Sequence, residues 1–233
     1  MVSAALAIAD VVVLPVAFLA AADSARRFEP GNPARRAWWL LSAALAGFWI
    51  GEAVEGFYTV RGLESPFPSV ADAFFLLAYP AIVAALLLFL RAYRVAGYGE
   101  VGATAVLVAA IAVALLGLPL LVPILRAPLP ALERLVSGAY GAIDLVALVP
   151  LVLLLRLTSA LRGGSVWQVW ASLLFGFLLT FVGDVLVAYW LIAGAQGGDS
   201  RAEMLDLLSS VVFTLSYLAI ARGALHQRAL LRG

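Results

Sequence analysis

Long apolar runs alternate with short polar connections along the whole chain. The runs cover roughly residues 3–22, 37–60, 70–90, 102–124, 135–157, 166–194 and 202–225. A helix rising 1.5 Å per residue needs about 20 mostly apolar residues to cross the hydrocarbon of a bilayer, and each run meets that length. The connections, 26–36, 61–69, 91–101, 126–134, 158–165 and 195–201, collect Pro, Gly, Arg and Ser. The pattern predicts seven transmembrane helices in one all-α domain over 1–225, followed by a short tail, 226–233. The first run reads as a spanning helix rather than a cleaved signal, since no basic segment precedes it and Asp10 lies within it.

Composition supports this reading. The 233 residues are 64% hydrophobic and 12% charged, against about 45–50% and about 25% in soluble domains, so lipid is the expected partner of most of the surface. A net charge of +1 provides no electrostatic basis for binding nucleic acid. Cysteine is absent, which excludes disulfides and thiolate-ligated metals. All fifteen basic residues are arginine. Without a lysine amine no Schiff base forms, so a retinal cofactor is excluded for this seven-helix chain.

Orientation follows from arginine. Eleven fall on one side of the predicted spans (Arg26, Arg27, Arg35, Arg36, Arg91, Arg94, Arg156, Arg162, Arg222, Arg228, Arg232) and four on the other (Arg61, Arg126, Arg134, Arg201). The richer side is expected to be cytoplasmic, giving an external N-terminus and an internal C-terminus. A parallel repeat is also visible. AIADVVVLPV in helix 1 matches AIDLVALVPL in helix 5. GFWIGEAVEGFY in helix 2 matches GFLLTFVGDVLVAY in helix 6, and FLLAYPAI in helix 3 matches FTLSYLAI in helix 7. The reading is three helices, a linker helix at 102–124, and three again, with halves at about 3–90 and 135–225.

Ionisable groups within spans are costly and mark function. Here they are Asp10, Glu52, Glu55, Asp72, Asp144, Asp184 and Asp206, all in the half of their helices expected to face outward. Glu52 and Glu55, three apart, share a helix face. Asp10/Asp144 and Glu52/Asp184 form pseudo-symmetric pairs, and Tyr79, Tyr140 and Tyr217 are within reach of them. Together they predict an acidic cup opening outward, centred on Glu52, Asp144 and Asp184. Plainer roles compete. Asp72 follows Ser69 by three residues, as Glu203 follows Ser200, which is the spacing of a capping box. Asp206 and Asp10 can be wet at the interface. Gly47 and Gly51 form a GxxxG, expected to serve close helix packing. Pro15, Pro80, Pro119, Pro123 and Pro150 lie within spans and free backbone carbonyls.

Several chemistries fall away. The lone histidine, His226, lies in the tail, so neither a zinc hydrolase nor a Ser–His pair is available. Phe181-Val182-Gly183-Asp184 echoes the GxGD of intramembrane aspartyl proteases, but the first glycine is missing. No enzyme is expected.

One stretch is distinctive: Pro68, Ser69, Ala71, Asp72, Phe74, Phe75, Leu76, Tyr79 and Pro80, within SPFPSVADAFFLLAYP. This P-S-x-A-D-x-F-F-L-x-x-Y-P run resembles the N-terminal membrane sensor regions found ahead of GGDEF diguanylate cyclase, EAL or kinase domains in bacteria. The resemblance covers about a fifteenth of the chain. It implies a multi-pass protein of the bacterial cytoplasmic membrane that reads an external ligand and passes the signal through helix 7 to a cytoplasmic effector domain or a second copy of the chain. Carboxylates without His or Cys favour a cation as that ligand, either an oxygen-ligated metal ion, an amine or a proton. The 3+1+3 layout is also similar to the sugar-facilitator and PQ-loop transporters, but Val16 and Leu151 stand where that group carries glutamine after Pro15 and Pro150.

Overall fold

The computed structural model describes residues 2–63, 65–197 and 199–232. It contains seven α-helices: α1 (Val2–Arg27), α2 (Pro33–Arg61), α3 (Val70–Val95), α4 (Ala103–Arg126), α5 (Ala131–Leu157), α6 (Ser165–Ala195) and α7 (Asp199–Leu230), with one 3₁₀ turn, Ser159–Leu161, between α5 and α6. All seven are long and apolar enough to cross a membrane, and among the described residues there is no strand. The helices outlast the apolar runs because their ends are polar. α1 continues past Ala22 to Arg27, and α7 runs to Leu230, taking up most of the segment read as a tail. Arginine stems at such ends lie along apolar surface while the charged heads reach water. α7 also starts three residues before the apolar run, so Ser200 lies inside the helix rather than capping it.

Local chemistry sets the ends. Asn32 caps α2, its side chain accepting from Ala34 N at 2.9 Å, and Pro33 occupies the first turn. Gly62 closes the same helix with φ of 64°, a left-handed position that glycine takes without a Cβ clash. At α3 the capping box is complete: Ser69 accepts from Ala71 N, and Asp72 accepts from Ser69 N. The internal prolines leave the helices unbroken. Pro15 has no N–H to offer the carbonyl of Val11, and the Trp49 indole of α2 donates to that oxygen at 3.0 Å.

α1, α2, α3, α5, α6 and α7 pack in a closed ring, each against the next and α7 against α1; α4 stands outside it, against α5 and more lightly α6. Leu115 and Leu116 of α4 are accordingly among its most exposed side chains. Small residues allow close approach. A Cβ on Gly47 would meet Ala78 at 3.3 Å, and one on Gly51 would press into the Phe75 ring, so the GxxxG of α2 packs it on α3. Inside the ring, Trp38, Phe89 and Trp170 stack edge to face with centroids 5.0 Å apart at each step. Trp170 also donates to the Tyr93 hydroxyl at 2.8 Å.

Candidate functional site

The carboxyls of α1, α2, α5 and α6 and the tyrosines of α3 and α7 meet inside the ring, toward the end where α2 finishes and α3 begins. Tyr79 of α3 donates its hydroxyl to Asp144 Oδ1 of α5 at 2.7 Å and lies 3.3 Å from Asp184 Oδ2 of α6. Asp144 is 1% exposed, and its Oδ2 has no hydrogen-bond partner. Its carboxyl is also within hydrogen-bonding reach of Asp184. Across the ring, Tyr217 of α7 donates to Glu52 Oε1 of α2 at 2.6 Å. Asp10 of α1 is a near neighbour of Glu52. It is 4% exposed, and its Oδ1 likewise has no partner. Glu52 and Asp184 are half-buried. The edge-to-face rings of Phe48 and Tyr140 hold Tyr79 in place, at 5.6 and 6.3 Å.

The remaining sequence-predicted residues divide clearly. Tyr140 of α5 donates to Asp72 Oδ1 at 2.8 Å, so Asp72 caps α3 with one oxygen and binds α5 with the other. Glu55 borders the cluster and accepts from Ser65 and Ser69, both at 3.0 Å, tying α2 to the loop before α3. Asp206 is exposed on α7 and joins none of these groups. Asp144, one of the three acids expected to lie deepest, is enclosed by the bundle, 1% exposed. It is the central residue of α5, which begins four residues earlier than the apolar run.

Among the described residues, no basic side chain reaches the cluster. Among the described residues, every ion pair lies at a helix end: Asp23 with Arg27, Arg228 and Arg232, and Arg94 with Glu100. Nor do three or more His, Cys, Asp or Glu side chains converge to hold a metal ion among those residues. The arrangement is therefore a set of carboxyls in low dielectric, neutralised by no guanidinium and contacted mainly by phenol hydroxyls. A carboxyl in such surroundings is favoured in its protonated form or beside a positive charge.

Two groups escaped the sequence reading. Asp23 was legible only as an i,i+4 partner of Arg27, since Arg228 and Arg232 are 205 and 209 residues away. Ser216 of α7, which bonds Gly176 O at 2.9 Å and Thr180 at 2.8 Å, gives no signal beyond a hydroxyl in an apolar run. Comparison with protein-family models, curated proteins and solved structures found no match.

Proposed function

We propose that this bundle is the input module of a membrane sensor, with its N-terminus outside and its C-terminus inside, built from a three-helix unit used twice around α4. It binds a small cation, an amine or a proton from outside at the carboxyl–tyrosine cluster. One observation carries the reading: buried and half-buried acids gathered from four helices have tyrosines for partners and no cationic side chain among the described residues. Such a site lacks a positive charge that a ligand can supply, and the helices that meet there repack when it arrives. The ring of six helices with α4 outside supports the repeat, since neighbours in one half, α1–α2–α3, recur as α5–α6–α7.

Two further features favour a one-sided sensor. Beyond the acids, toward the arginine-rich end, the large aromatic side chains Trp38, Phe89, Trp170 and Phe177 pack in the interior, each at most 1% exposed. The P-S-x-A-D-x-F-F-L-x-x-Y-P run also gains a physical rationale. Ser69 and Asp72 start α3, Phe75 packs on Gly51, and Tyr79 reaches both Asp144 and Asp184. The module would signal through α7, which carries Tyr217 at the cluster and Arg228 at the opposite end.

A ligand that binds only the folded bundle raises its melting temperature. The test is thermal unfolding in detergent over a range of pH and with added divalent cations or alkylamines. Glu52→Gln together with Asp184→Asn abolishes the stabilisation; a stabilisation that survives both substitutions rejects the site. A transporter is the second reading, favoured by the position of Asp144 at the middle of α5, since such proteins bind near the bilayer midplane. It requires flux of the same solute into sealed liposomes holding the protein.

A further inference from the structure

Set side by side, the two halves of the acid cluster share more than acidity. Aligning FLLAYPAI of α3 with FTLSYLAI of α7 places Tyr79 on Tyr217 and Phe75 on Phe213. Tyr79, from the first half of the chain, reaches Asp144 and Asp184 in the second. Tyr217, from the second half, reaches Glu52 in the first, beside Asp10. The tyrosines are exchanged across the two junctions that close the ring, α3 on α5 and α7 on α1. Packing repeats as well. A Cβ on Gly51 would come within 2.5 Å of the Phe75 ring, and one on Gly183 within 2.6 Å of the Phe213 ring. Each of these glycines immediately precedes its acid, Glu52 or Asp184. The unpartnered oxygens repeat too, Asp10 Oδ1 and Asp144 Oδ2.

We infer that the bundle carries two proton-binding sites of one design, Tyr79–Asp144–Asp184 and Tyr217–Glu52–Asp10, each completed by a tyrosine from the opposite half. The inference rests on the reading that these carboxyls take a cationic ligand, and it names that ligand and its number. Hydrogen counting points to the proton. A phenol donates one hydrogen, yet Tyr79 contacts two carboxyls. A proton on one acid provides the second hydrogen and gives the unpartnered oxygen of Asp144 a role, as donor to or acceptor from Asp184. In the other site Tyr217 donates to Glu52, and the buried Asp10 has an oxygen without a partner.

The titratable groups facing these sites are few. They are Asp10 from α1, Glu52 and Glu55 from α2, Asp72 and Tyr79 from α3, Tyr140 and Asp144 from α5, Asp184 from α6 and Tyr217 from α7. None is basic. The sites also differ: Tyr79 reaches both acids of the first, whereas Tyr217 bonds Glu52 alone in the second. The Tyr140–Asp72 pair accompanies only the first, and Leu6 and Ser210 occupy the equivalent positions of the second.

Infrared difference spectroscopy of the whole chain in lipid nanodiscs, titrated with acid, reads protonated carboxyls directly through their carbonyl stretch. Two components are expected. Asp144→Asn removes the first and spares the second, and Asp10→Asn does the reverse. Tyr217→Phe, which keeps every acid, shifts the second component alone, and this covers the case in which Asp10→Asn fails to fold. A single component that Asp10→Asn and Tyr217→Phe leave unmoved overturns the duplication while leaving one site standing. Loss of both components in each aspartate variant overturns it too, since that marks one shared site. If no carboxyl protonates at any pH while divalent cations or alkylamines still stabilise the bundle, the ligand is not a proton. If neither occurs, the proposed function fails as well.

Discussion

Asp23, near the end of α1, gathers three guanidiniums: Arg27 at 3.5 Å, Arg228 at 2.8 Å and Arg232 at 3.2 Å. Asp144, in the middle of α5, has the Tyr79 hydroxyl, a neighbouring carboxyl and an oxygen with no partner. Both are aspartates on apolar helices, yet one is 28% exposed in its side chain and the other is 1% exposed as a residue. The exposed carboxylate can be neutralised by arginines because their heads reach water. An arginine beside the buried one would itself have to be desolvated. Charge compensation at the helix ends is thus internal, and in the middle of the bundle no guanidinium among the described residues provides it. α7 joins the two regions, with Tyr217 in the cluster, Ser216 in its seam with α6 and Arg228 on Asp23.

Four substitutions test that contrast, from the largest effect to the smallest. The seam between the regions breaks hardest. A side chain at Gly176 would meet Ser216 O at 3.0 Å and Ile220 N at 3.2 Å, backbone atoms that cannot swing away. Gly176→Leu should therefore cost about 3 kcal/mol in chemical unfolding in detergent, and a cost near zero would mean that α6 and α7 do not pack this closely. Tyr79→Phe comes next. It takes the donor from Asp144 and should cost about 2 kcal/mol, whereas Tyr79→Phe with Asp144→Leu should recover most of that loss, because an apolar pair leaves nothing unsatisfied. Equal losses in the single and double variants would show that the hydroxyl and the carboxyl do not interact.

Asp144→Asn sharpens the comparison through pH. Crowded carboxyls without a counter-charge repel when ionised, so the wild-type bundle should gain melting temperature as pH falls toward 5. The Asn variant should gain less, and identical profiles would argue against a charge problem at this residue. Asp23→Asn should have the smallest effect, because ion pairs reached by water contribute little to stability. That difference should shrink further in molar salt, which screens exposed pairs. A large, salt-independent loss would mean that the Asp23 end is as desolvated as the middle.

What could be read from the chain follows a physical divide. The seven helices were legible because hydrocarbon demands unbroken apolar length, a property of consecutive residues. So were the capping box of Ser69 and Asp72 and the packing role of Gly47 and Gly51, which depend on spacing within one helix. Helix ends were read short by up to five residues, as at Arg27 and Leu230, because amphipathic arginines extend a helix beyond its apolar stretch. The choice among acids was less legible. Glu52, Asp144, Asp184 and Asp10 come together, while Glu55 turns to Ser65 and Ser69 and Asp206 stays outside. Glu52 and Glu55 lie on neighbouring positions of one helix surface, and only the rotation of α2 against α1, α3 and α7 separates their roles.

By itself, then, the sequence determined that this is a seven-helix chain suited to a bilayer, which segments cross it, and which few residues are too polar to be there without a reason. Tertiary structure decided that the tyrosine meeting Asp144 is 65 residues before it and the one meeting Glu52 is 165 residues after it. It also decided that α4 stands outside the ring. The reason is the range of the forces involved. Transfer into lipid acts on each segment separately and leaves its mark in local composition. A hydrogen bond in a dry interior acts over about 3 Å, and its partners are set only when helices distant in sequence have packed.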